Sequence, residues 1–206
     1  MTRTLGVVMD SIESINPCKD TTLLLLLAAQ NRGWEIMYMQ QHDLSLENEN
    51  PVASMSQLRV KDHQTDWFSL GQPKLTSLSD LNVILMRKDP PFDSQFLHTT
   101  YLLSQAEDAG ALIINKPQSL RDCNEKLFAT QFPECCPEVL VASDAKVLKA
   151  FHAHHEDVIF KPLDGMGGAS IFRARKHEPN LNVIIETLTE FGQQQIMVQR
   201  YLPAIK

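Results

Sequence analysis

Residues 158 to 173 read Val158-Ile-Phe-Lys-Pro-Leu-Asp-Gly-Met-Gly-Gly-Ala-Ser-Ile-Phe-Arg173. An apolar run enters a loop that contains Gly165, Gly167 and Gly168, and a second apolar run leaves it. Glycines accept positive φ, and successive N–H groups in such a loop form a concavity for an anion. The pattern therefore predicts a strand, an anion-binding loop and a second strand. The alternative is a glycine-rich hairpin without a ligand, although a two-residue turn would serve with fewer glycines.

Lys161 lies within the strand that enters this loop. Period-2 alternation places Ile159 and Leu163 on the same face as Lys161. An ammonium among apolar side chains is costly unless an anion pairs with it, and a phosphate in the adjacent loop would be that anion. The alternatives are a lysine on an exposed edge strand and a lysine paired with Asp164.

The segments around this loop predict an α+β unit with antiparallel strands. We expect a helix from Leu120 to Gln131 that contains Lys126, which by itself indicates a solvated helix lysine. The apolar segment Ile196-Met-Val-Gln-Arg-Tyr-Leu-Pro203 predicts a strand whose backbone could meet a planar base, or an ordinary strand. Further strands are predicted at 139–141, 158–163, 170–175 and 195–202, and helices at 144–151 and 181–190.

The first half of the chain alternates strands with helices, which predicts a parallel sheet with right-handed crossovers. In such sheets ligands bind beyond the carboxyl ends of the strands. Residues 43 to 61 predict a loop or a hairpin, and we place a domain boundary near residue 122. Strands are predicted at 5–9, 34–39, 81–86 and 111–114, helices at 21–33 and 93–109, and polar strand-end residues at Asp10, Arg87, Asp89 and Asn115.

Composition and charge narrow the class of protein. A net charge of -6 over 206 residues argues against a nucleic-acid partner, because duplex binding needs a basic surface. The run Leu23–Ala29 is preceded by acidic residues and is far shorter than a membrane span, so it predicts a buried helix. The four cysteines form no Cys-x-x-Cys pair and indicate free thiols in a reducing cytosol. His152, His154 and His155 indicate a solvated helix end rather than a metal site.

With these segments on view, the chain resembles the bacterial-type glutathione synthetases of the ATP-grasp superfamily. The strings Met86-Arg-Lys-Asp-Pro-Pro91 and Asn115-Lys-Pro-Gln-Ser-Leu-Arg-Asp122 are the specific signal, whereas the glycine loop indicates only the superfamily. The resemblance covers the whole chain. Its other segments are Gly6–Asp10, Cys123–Lys126, Lys161–Gly168 and Gln199–Lys206.

The resemblance implies an α/β fold in two parts. Residues 1–122 would form a Rossmann-like pre-ATP-grasp domain with a parallel sheet, and residues 123–206 the first part of an α+β ATP-grasp domain, incomplete without its second lobe. The implied reaction joins glycine to γ-glutamylcysteine through an acyl phosphate and releases glutathione, ADP and phosphate. ATP and Mg²⁺, or Mn²⁺, would be needed. The family implies a cytoplasmic homo-oligomer with small-molecule partners and neither nucleic acid nor membrane.

The resemblance also assigns roles to residues. Lys126 and Lys161 would be catalytic by neutralising the phosphates of ATP, and the glycine loop would close over the nucleotide. No metal ligand is expected in this chain. The implied ATP-binding residues are Lys126, Lys161, Asp164, Gly165, Met166, Gly167, Gly168, Gln199, Arg200, Tyr201 and Leu202, and the implied dipeptide-binding residues are Asp10, Arg87 and Asp89.

One departure from the family sets the expectation for activity. The family continues beyond the adenine hinge with the part that completes the ATP-grasp and holds the magnesium ligands, whereas this sequence ends at Lys206. We therefore expect the 206-residue chain alone to make no glutathione. The alternatives are another ATP-grasp carboxylate–amine ligase and a non-catalytic fragment that binds ligands weakly or assembles with itself.

Overall fold

The computed structural model describes residues 2–204, and the chain divides into two compact units, one up to Arg121 and one from Asp122. Each unit contains its own sheet and its own buried core. The elements of the first unit are β1 (Thr4–Val8), α1 (Thr21–Asn31), β2 (Glu35–Met39), β3 (Leu44–Glu47), β4 (Asn50–Val60), β5 (Phe68–Leu70), β6 (Lys74–Ser77), β7 (Val83–Met86), α2 (Ser94–Asp108), β8 (Leu112–Ile114) and α3 (Pro117–Asp122).

The parallel part of the first sheet has the strand order β2-β1-β7-β8. Val7 of β1 pairs with Tyr38 on one side and with Leu85 on the other. Because both neighbours run parallel to β1, the carboxyl ends of these strands lie on one edge. The α/β prediction of a parallel sheet with intervening helices is confirmed.

Antiparallel strands extend the sheet beyond β2 and make it mixed. Residues 43 to 61 form the predicted hairpin, in which β3 pairs with β4 across a turn that contains Asn48 at φ 57°. The long strand β4 also pairs with β2, β5 and β6. Sequence reasoning did not detect this role because the consecutive polar residues Ser56 and Gln57 break the alternation of β4 between Met55 and Leu58.

The two long helices of the first unit begin at the predicted caps. The Asp20 carboxylate accepts a hydrogen bond from the Leu23 N–H at 2.7 Å, and the Asp93 carboxylate accepts one from the Phe96 N–H at 2.8 Å. Such side chains satisfy N–H groups that have no partner within the helix.

Helix α1 carries the leucine run, and only part of that run is buried. Leu23 and Leu26 are 2% and 0% exposed, whereas Leu24 and Leu25 are 62% and 48% exposed. The prediction of a helix is confirmed, but the prediction that the run is buried is wrong for Leu24 and Leu25, because one side of α1 faces solvent. No helix within residues 2–204 is both long enough and apolar enough to cross a membrane.

The second unit is an antiparallel sheet with the order β11-β10-β12-β9, and two helices pack on it. The largest side chain at its core is Phe160, which is fully buried. The predicted α+β unit is confirmed. Its elements are β9 (Val139–Ala142), α4 (Ala145–His155), β10 (Asp157–Pro162), β11 (Phe172–Arg175), α5 (Leu181–Leu188) and β12 (Ile196–Arg200).

The predicted helix from Leu120 to Gln131 is wrong as one continuous element. Helix α3 ends at Asp122, and a short 3₁₀ helix resumes only at Phe128–Gln131. The cause is Asn124, whose side-chain oxygen accepts hydrogen bonds from the N–H groups of Lys126 and Leu127 at 3.0 and 3.1 Å. This local bond competes with helical pairing and places Lys126 in a turn.

Candidate functional site

The position of Lys161 follows from the pairing of β10. This strand lies between β11 and β12, but its pairing with β11 ends at Phe160, so Lys161 pairs only with Met197 of β12. Lys161 is half-buried rather than exposed. Val158 and Phe160 are fully buried against the helices, whereas Ile159 and Lys161 lie on the other, half-buried face. Across residues 2–204 no carboxylate lies within ion-pair distance of the Lys161 ammonium, so the structure does not pair it with Asp164.

The Lys126 ammonium is held beside the glycine loop. Its Nζ donates to the Leu163 carbonyl at 3.0 Å, to the Gly165 carbonyl at 2.6 Å and to the Glu125 carboxylate at 2.7 Å. The side chain is only 11% exposed, so the alternative of a solvated helix lysine is wrong. The turn made by Asn124 brings Lys126 to the end of β10. The predicted continuous helix did not imply this contact.

Burial and a neighbouring positive charge act together on Lys161. Desolvation lowers the pKa of Lys161, and the charge of Lys126 lowers it further, while Cys136 and Glu125 oppose the shift. Both main causes disfavour the protonated form. An anion placed between the two lysines would remove this penalty, which makes the pair a favourable position for a phosphate.

The glycine loop has the backbone geometry expected of an anion cradle. Gly167 and Gly168 have φ values of 67° and 81°, and Ser170 follows at 56°. The Ala169 N–H donates to the Met166 carbonyl at 3.3 Å, whereas in the described part of the chain the N–H groups of Gly167 and Gly168 have no protein acceptor. Asp164 and Met166 are exposed. The loop therefore presents free donors to solvent next to the two lysines.

Strand β12 places Gln199 and Arg200 beside β10, and Tyr201 and Leu202 follow it. The N–H groups of Arg200 and Tyr201 donate to the carbonyls of Glu138 and Asp157, both at 2.9 Å. These two donors are therefore unavailable to a planar base. Ile205 and Lys206, which end the segment Gln199–Lys206, lie outside the described residues.

Sequence reasoning missed Arg173, which links the start of β10 to Tyr201. Its guanidinium donates to both oxygens of Asp157 at 2.9 and 2.7 Å and lies 3.5 Å from the centroid of the Tyr201 ring. The hydrogen bonds of Arg173 lower the pKa of Asp157. Arg200 in turn donates to Glu138 at 2.5 Å and lowers the pKa of that carboxyl group. No local sequence signal links residues that are this far apart in the chain.

The strand-end residues of the first unit form a second cluster. The Asp89 N–H donates to one oxygen of Asp10 at 3.0 Å, and the Lys88 ammonium lies 3.0 Å from the other oxygen. Arg87 is directed elsewhere, because it donates to the hydroxyls of Thr22 and Thr21 at 2.9 and 3.2 Å. The structure thus brings Asp10 and Asp89 together, but it adds Lys88 to the cluster in place of Arg87.

Of the three histidines near the end of α4, His154 is exposed and His155 partly exposed, as expected, whereas His152 is not. His152 is only 5% exposed, and its Nε2 lies 3.0 Å from the Arg175 carbonyl oxygen. His152 is buried because it lies, with Leu148, on the side of α4 that packs against the sheet. Within residues 2–204 no group of three or more His, Cys, Asp or Glu residues has the arrangement of a metal site.

Comparison with family models gives a consistent result over nearly the whole chain. Residues 4–121 match the model for the prokaryotic glutathione synthetase N-terminal domain. Residues 125–206 match the model for the prokaryotic glutathione synthetase ATP-grasp domain.

Curated relatives agree with the family models. The chain is 59% identical to a glutathione synthetase of Pseudomonas syringae pv. tomato over 98% of this chain and 63% of the relative. It is 55% identical to the glutathione synthetase of Escherichia coli K12 over 98% of this chain and 64% of the relative. The chain thus spans 63% to 64% of the length of these relatives.

Solved structures show a related fold at low sequence identity. D-cycloserine synthetase DcsG matches with a TM-score of 0.62 at 14% identity, covering 97% of this chain and 59% of that one. D-alanyl-alanine synthetase A of Vibrio cholerae matches with a TM-score of 0.60 at 10% identity, covering 98% of this chain and 61% of that one. At these identities the likeness supports the fold alone and does not favour the chemistry of either enzyme.

Proposed function

Because the chain belongs to the prokaryotic glutathione synthetase family, we propose that it supplies nucleotide-binding and dipeptide-binding parts of an ATP-dependent ligase that joins glycine to γ-glutamylcysteine. The observation that carries the proposal is the pair Lys126 and Lys161 beside a glycine loop with unpaired N–H groups. Curated relatives at 52% and 59% identity are glutathione synthetases, which favours this ligase over other ATP-grasp enzymes.

The reaction requires stabilisation of charge at phosphorus. The cysteinyl carboxylate attacks the γ-phosphorus of ATP and ADP leaves; the glycine amine then attacks the acyl carbon and phosphate leaves. Phosphoryl transfer depends mainly on positioning and on neutralising charge at the phosphate oxygens. In this proposal Lys126 and Lys161 neutralise that charge. Gly165 to Gly168, with Asp164 and Met166, cover the phosphates and keep water from the acyl phosphate.

We assign the base of ATP to the hinge formed by Gln199, Arg200, Tyr201 and Leu202. Since the N–H groups of Arg200 and Tyr201 are already paired, the base would be met by other backbone groups and by side chains of this segment. We assign the dipeptide to the strand-end cluster that contains Asp10 and Asp89. The hydrogen bonds of Arg87 to α1 give it a positioning role there, because it holds the β7 end against Thr21 and Thr22.

A divalent cation, Mg²⁺ or Mn²⁺, accompanies ATP in this chemistry. The described residues contain no group of three or more acidic, histidine or cysteine side chains that fits such an ion, so no step is assigned to it here.

A chimera gives a direct test of the proposed function. Residues 2–204 of this chain would replace the matching residues of the Escherichia coli K12 relative, to which the chain is 55% identical. We expect the chimera to form glutathione and ADP from ATP, γ-glutamylcysteine and glycine. The variant K161M should lose most of this activity, whereas K149M, which changes an exposed lysine in the same unit, should retain it. A chimera that folds but does not form glutathione would refute the proposal.

We also propose a cytoplasmic homo-oligomer. The support is the family and the free state of Cys18, Cys123, Cys135 and Cys136, of which all but Cys136 are exposed. Light scattering on the native protein should give a multiple of the mass of one native chain. A monomer at the concentrations used for assay would contradict this assignment.

A further inference from the structure

Three contacts among Asp157, Arg173 and Tyr201 join the chain that follows β12 to strands β10 and β11. The Tyr201 N–H donates to the Asp157 carbonyl at 2.9 Å. The Arg173 guanidinium donates to both oxygens of the Asp157 carboxylate, at 2.9 and 2.7 Å. The same guanidinium lies 3.5 Å from the centroid of the Tyr201 ring. The three residues therefore form a closed ring of contacts, which we call the Arg173 clamp.

The Arg173 clamp lies on the face of the sheet that carries Lys161. Ile159 pairs with Arg173 on one side and with Gln199 on the other. Residues that pair directly across a ladder direct their side chains to the same face, and Lys161 shares that face because it lies two residues after Ile159. Helices α4 and α5 pack on the opposite face, where Phe160 is buried. The clamp is thus on the same side of the sheet as the proposed phosphate-binding lysine.

Stability alone accounts poorly for this arrangement. The side chains of Arg173 and Asp157 are 33% and 36% exposed, and exposed ion pairs contribute little to the free energy of unfolding. Asp157 already pairs with Arg175 in the β10–β11 ladder, so the ladder does not depend on the ion pair. The clamp instead fixes Tyr201, which lies beyond the end of β12. A planar guanidinium can hold such a ring by stacking as well as by charge.

We propose that Arg173 is a positioning residue for the base of a bound nucleotide and that it acts through Tyr201. The inference rests on the proposed function, in which the hinge that contains Tyr201 receives the base. The carboxylate of Asp157 fixes the guanidinium, and the guanidinium holds the ring of Tyr201 in one orientation. A contact residue that is already ordered costs less entropy when its ligand binds.

The position of the clamp separates recognition of the base from recognition of the phosphates. Asp157 begins β10, and Lys161 lies about 13 Å further along this strand at the usual rise per residue. An elongated ligand such as a nucleotide can therefore meet the clamp with one end and Lys161 with the other. Loss of Arg173 should weaken binding of a ligand that has a base and should not weaken binding of its phosphates alone.

Titration of the chimera with two ligands tests this separation, because ADP has a base and inorganic tripolyphosphate has none. R173M should weaken ADP binding by about tenfold, the effect of losing one stacked cation, and should leave tripolyphosphate binding unchanged. K161M should weaken binding of both ligands. K176M breaks another exposed ion pair of the same unit, with Glu156, and should bind both ligands like the unchanged chimera.

Two further variants test whether Arg173 acts through the ring of Tyr201. R173K keeps the positive charge but loses the planar group, so ADP binding should remain weakened. Y201L should also weaken ADP binding, and R173M/Y201L should bind ADP no more weakly than Y201L alone, since both changes remove one interaction. Additive losses in the double variant, or full ADP affinity in R173M or R173K, would overturn the proposal.

A purely structural role of Arg173 gives a different result. R173M would then lower the thermal midpoint and weaken both ligands equally, and that outcome would also overturn the proposal, as would a lack of saturable ADP binding by the unchanged chimera. The titrations contain neither γ-glutamylcysteine nor glycine. Failure of the chimera to form glutathione, which refutes the proposed function, is therefore distinguishable from failure of the Arg173 clamp.

Discussion

Lys161 illustrates how one side chain can be unfavourable for folding and favourable for function. Its pKa is lowered by burial and by Lys126, so the folded chain holds the proton less firmly than the unfolded chain. Between the lowered pKa and the usual lysine value, folding releases this proton, and stability contributed by this group rises with pH. At neutral pH the charged lysine therefore opposes folding until an anion binds.

The variant K161M should change both the stability of the chain and its affinity for nucleotide. We expect an unchanged or higher thermal midpoint of the 206-residue chain at pH 7, because the half-buried charge is removed. In the chimera, affinity for ADP should fall by about tenfold or more, since a charge-assisted contact is lost. Scanning fluorimetry and a nucleotide titration measure the two effects. K149M is the control, and a clear loss of stability in K161M alone would contradict the interpretation.

The ion pair of Asp157 with Arg173 should affect the stability of the chain at acid pH. Hydrogen bonds from Arg173 lower the pKa of Asp157 in the folded chain, so Asp157 contributes stability above the unfolded carboxyl pKa of about 3.9. That contribution is lost as pH falls through the lower folded pKa. Between pH 6 and pH 3 the thermal midpoint of D157N should therefore fall less than that of the unchanged chain. D164N, which alters an exposed loop carboxylate, should follow the unchanged chain; identical curves for D157N would refute the linkage.

At the level of elements, the caps of α1 and α2 explain where these helices begin. Asp93→Ala should lower the free energy of unfolding by about 1 kcal/mol, because the Phe96 N–H loses its acceptor. Asp108 ends the same helix, where a negative charge is unfavourable to the helix dipole. Asp108→Ala therefore makes the same chemical change and should not lower the free energy of unfolding. Urea unfolding compares the two, and equal losses would contradict the assignment of the cap.

At the scale of the whole molecule, each unit has its own core, and the stability of the second unit depends on one central side chain. Phe160 is fully buried between the sheet and its helices, and Phe160→Ala should cost about 3–5 kcal/mol by leaving a cavity. Phe191 is 82% exposed in the same unit, so Phe191→Ala should change stability little. Amide hydrogen exchange along β9, β10, β11 and β12 measures the stability of the sheet in both variants. Full protection of these strands in Phe160→Ala would contradict this description of the core.

Local signals in the sequence were sufficient to predict most helices and strands of both units. Aspartates before apolar segments located the starts of α1, α2 and α4, and short apolar runs located the parallel strands and β10. The glycines at 167 and 168 indicated a backbone with positive φ, which the structure has. These predictions succeed because caps, periodicity and glycine geometry act within a few residues of chain.

Other features depend on contacts between distant residues and could not be read locally. The extent of β4 is set by its pairing with four strands, and the exposure of Leu24 and Leu25 is set by which side of α1 meets the sheet. Arg173 meets Asp157 and Tyr201 only through strand pairing and packing. The break at Asn124 is local, yet helix propensity alone did not reveal it.

By itself the sequence determined the α/β and α+β class of the two units, the glycine loop and the family, because these depend on patterns within short segments. Only the tertiary structure placed Lys126 against the carbonyls of Leu163 and Gly165 and directed Arg87 away from Asp10. It also brought Lys88 to the Asp10 carboxylate. The physical reason is that charge, burial and hydrogen-bond partners at a site are properties of side chains brought together in space, whereas a sequence orders them only along the chain.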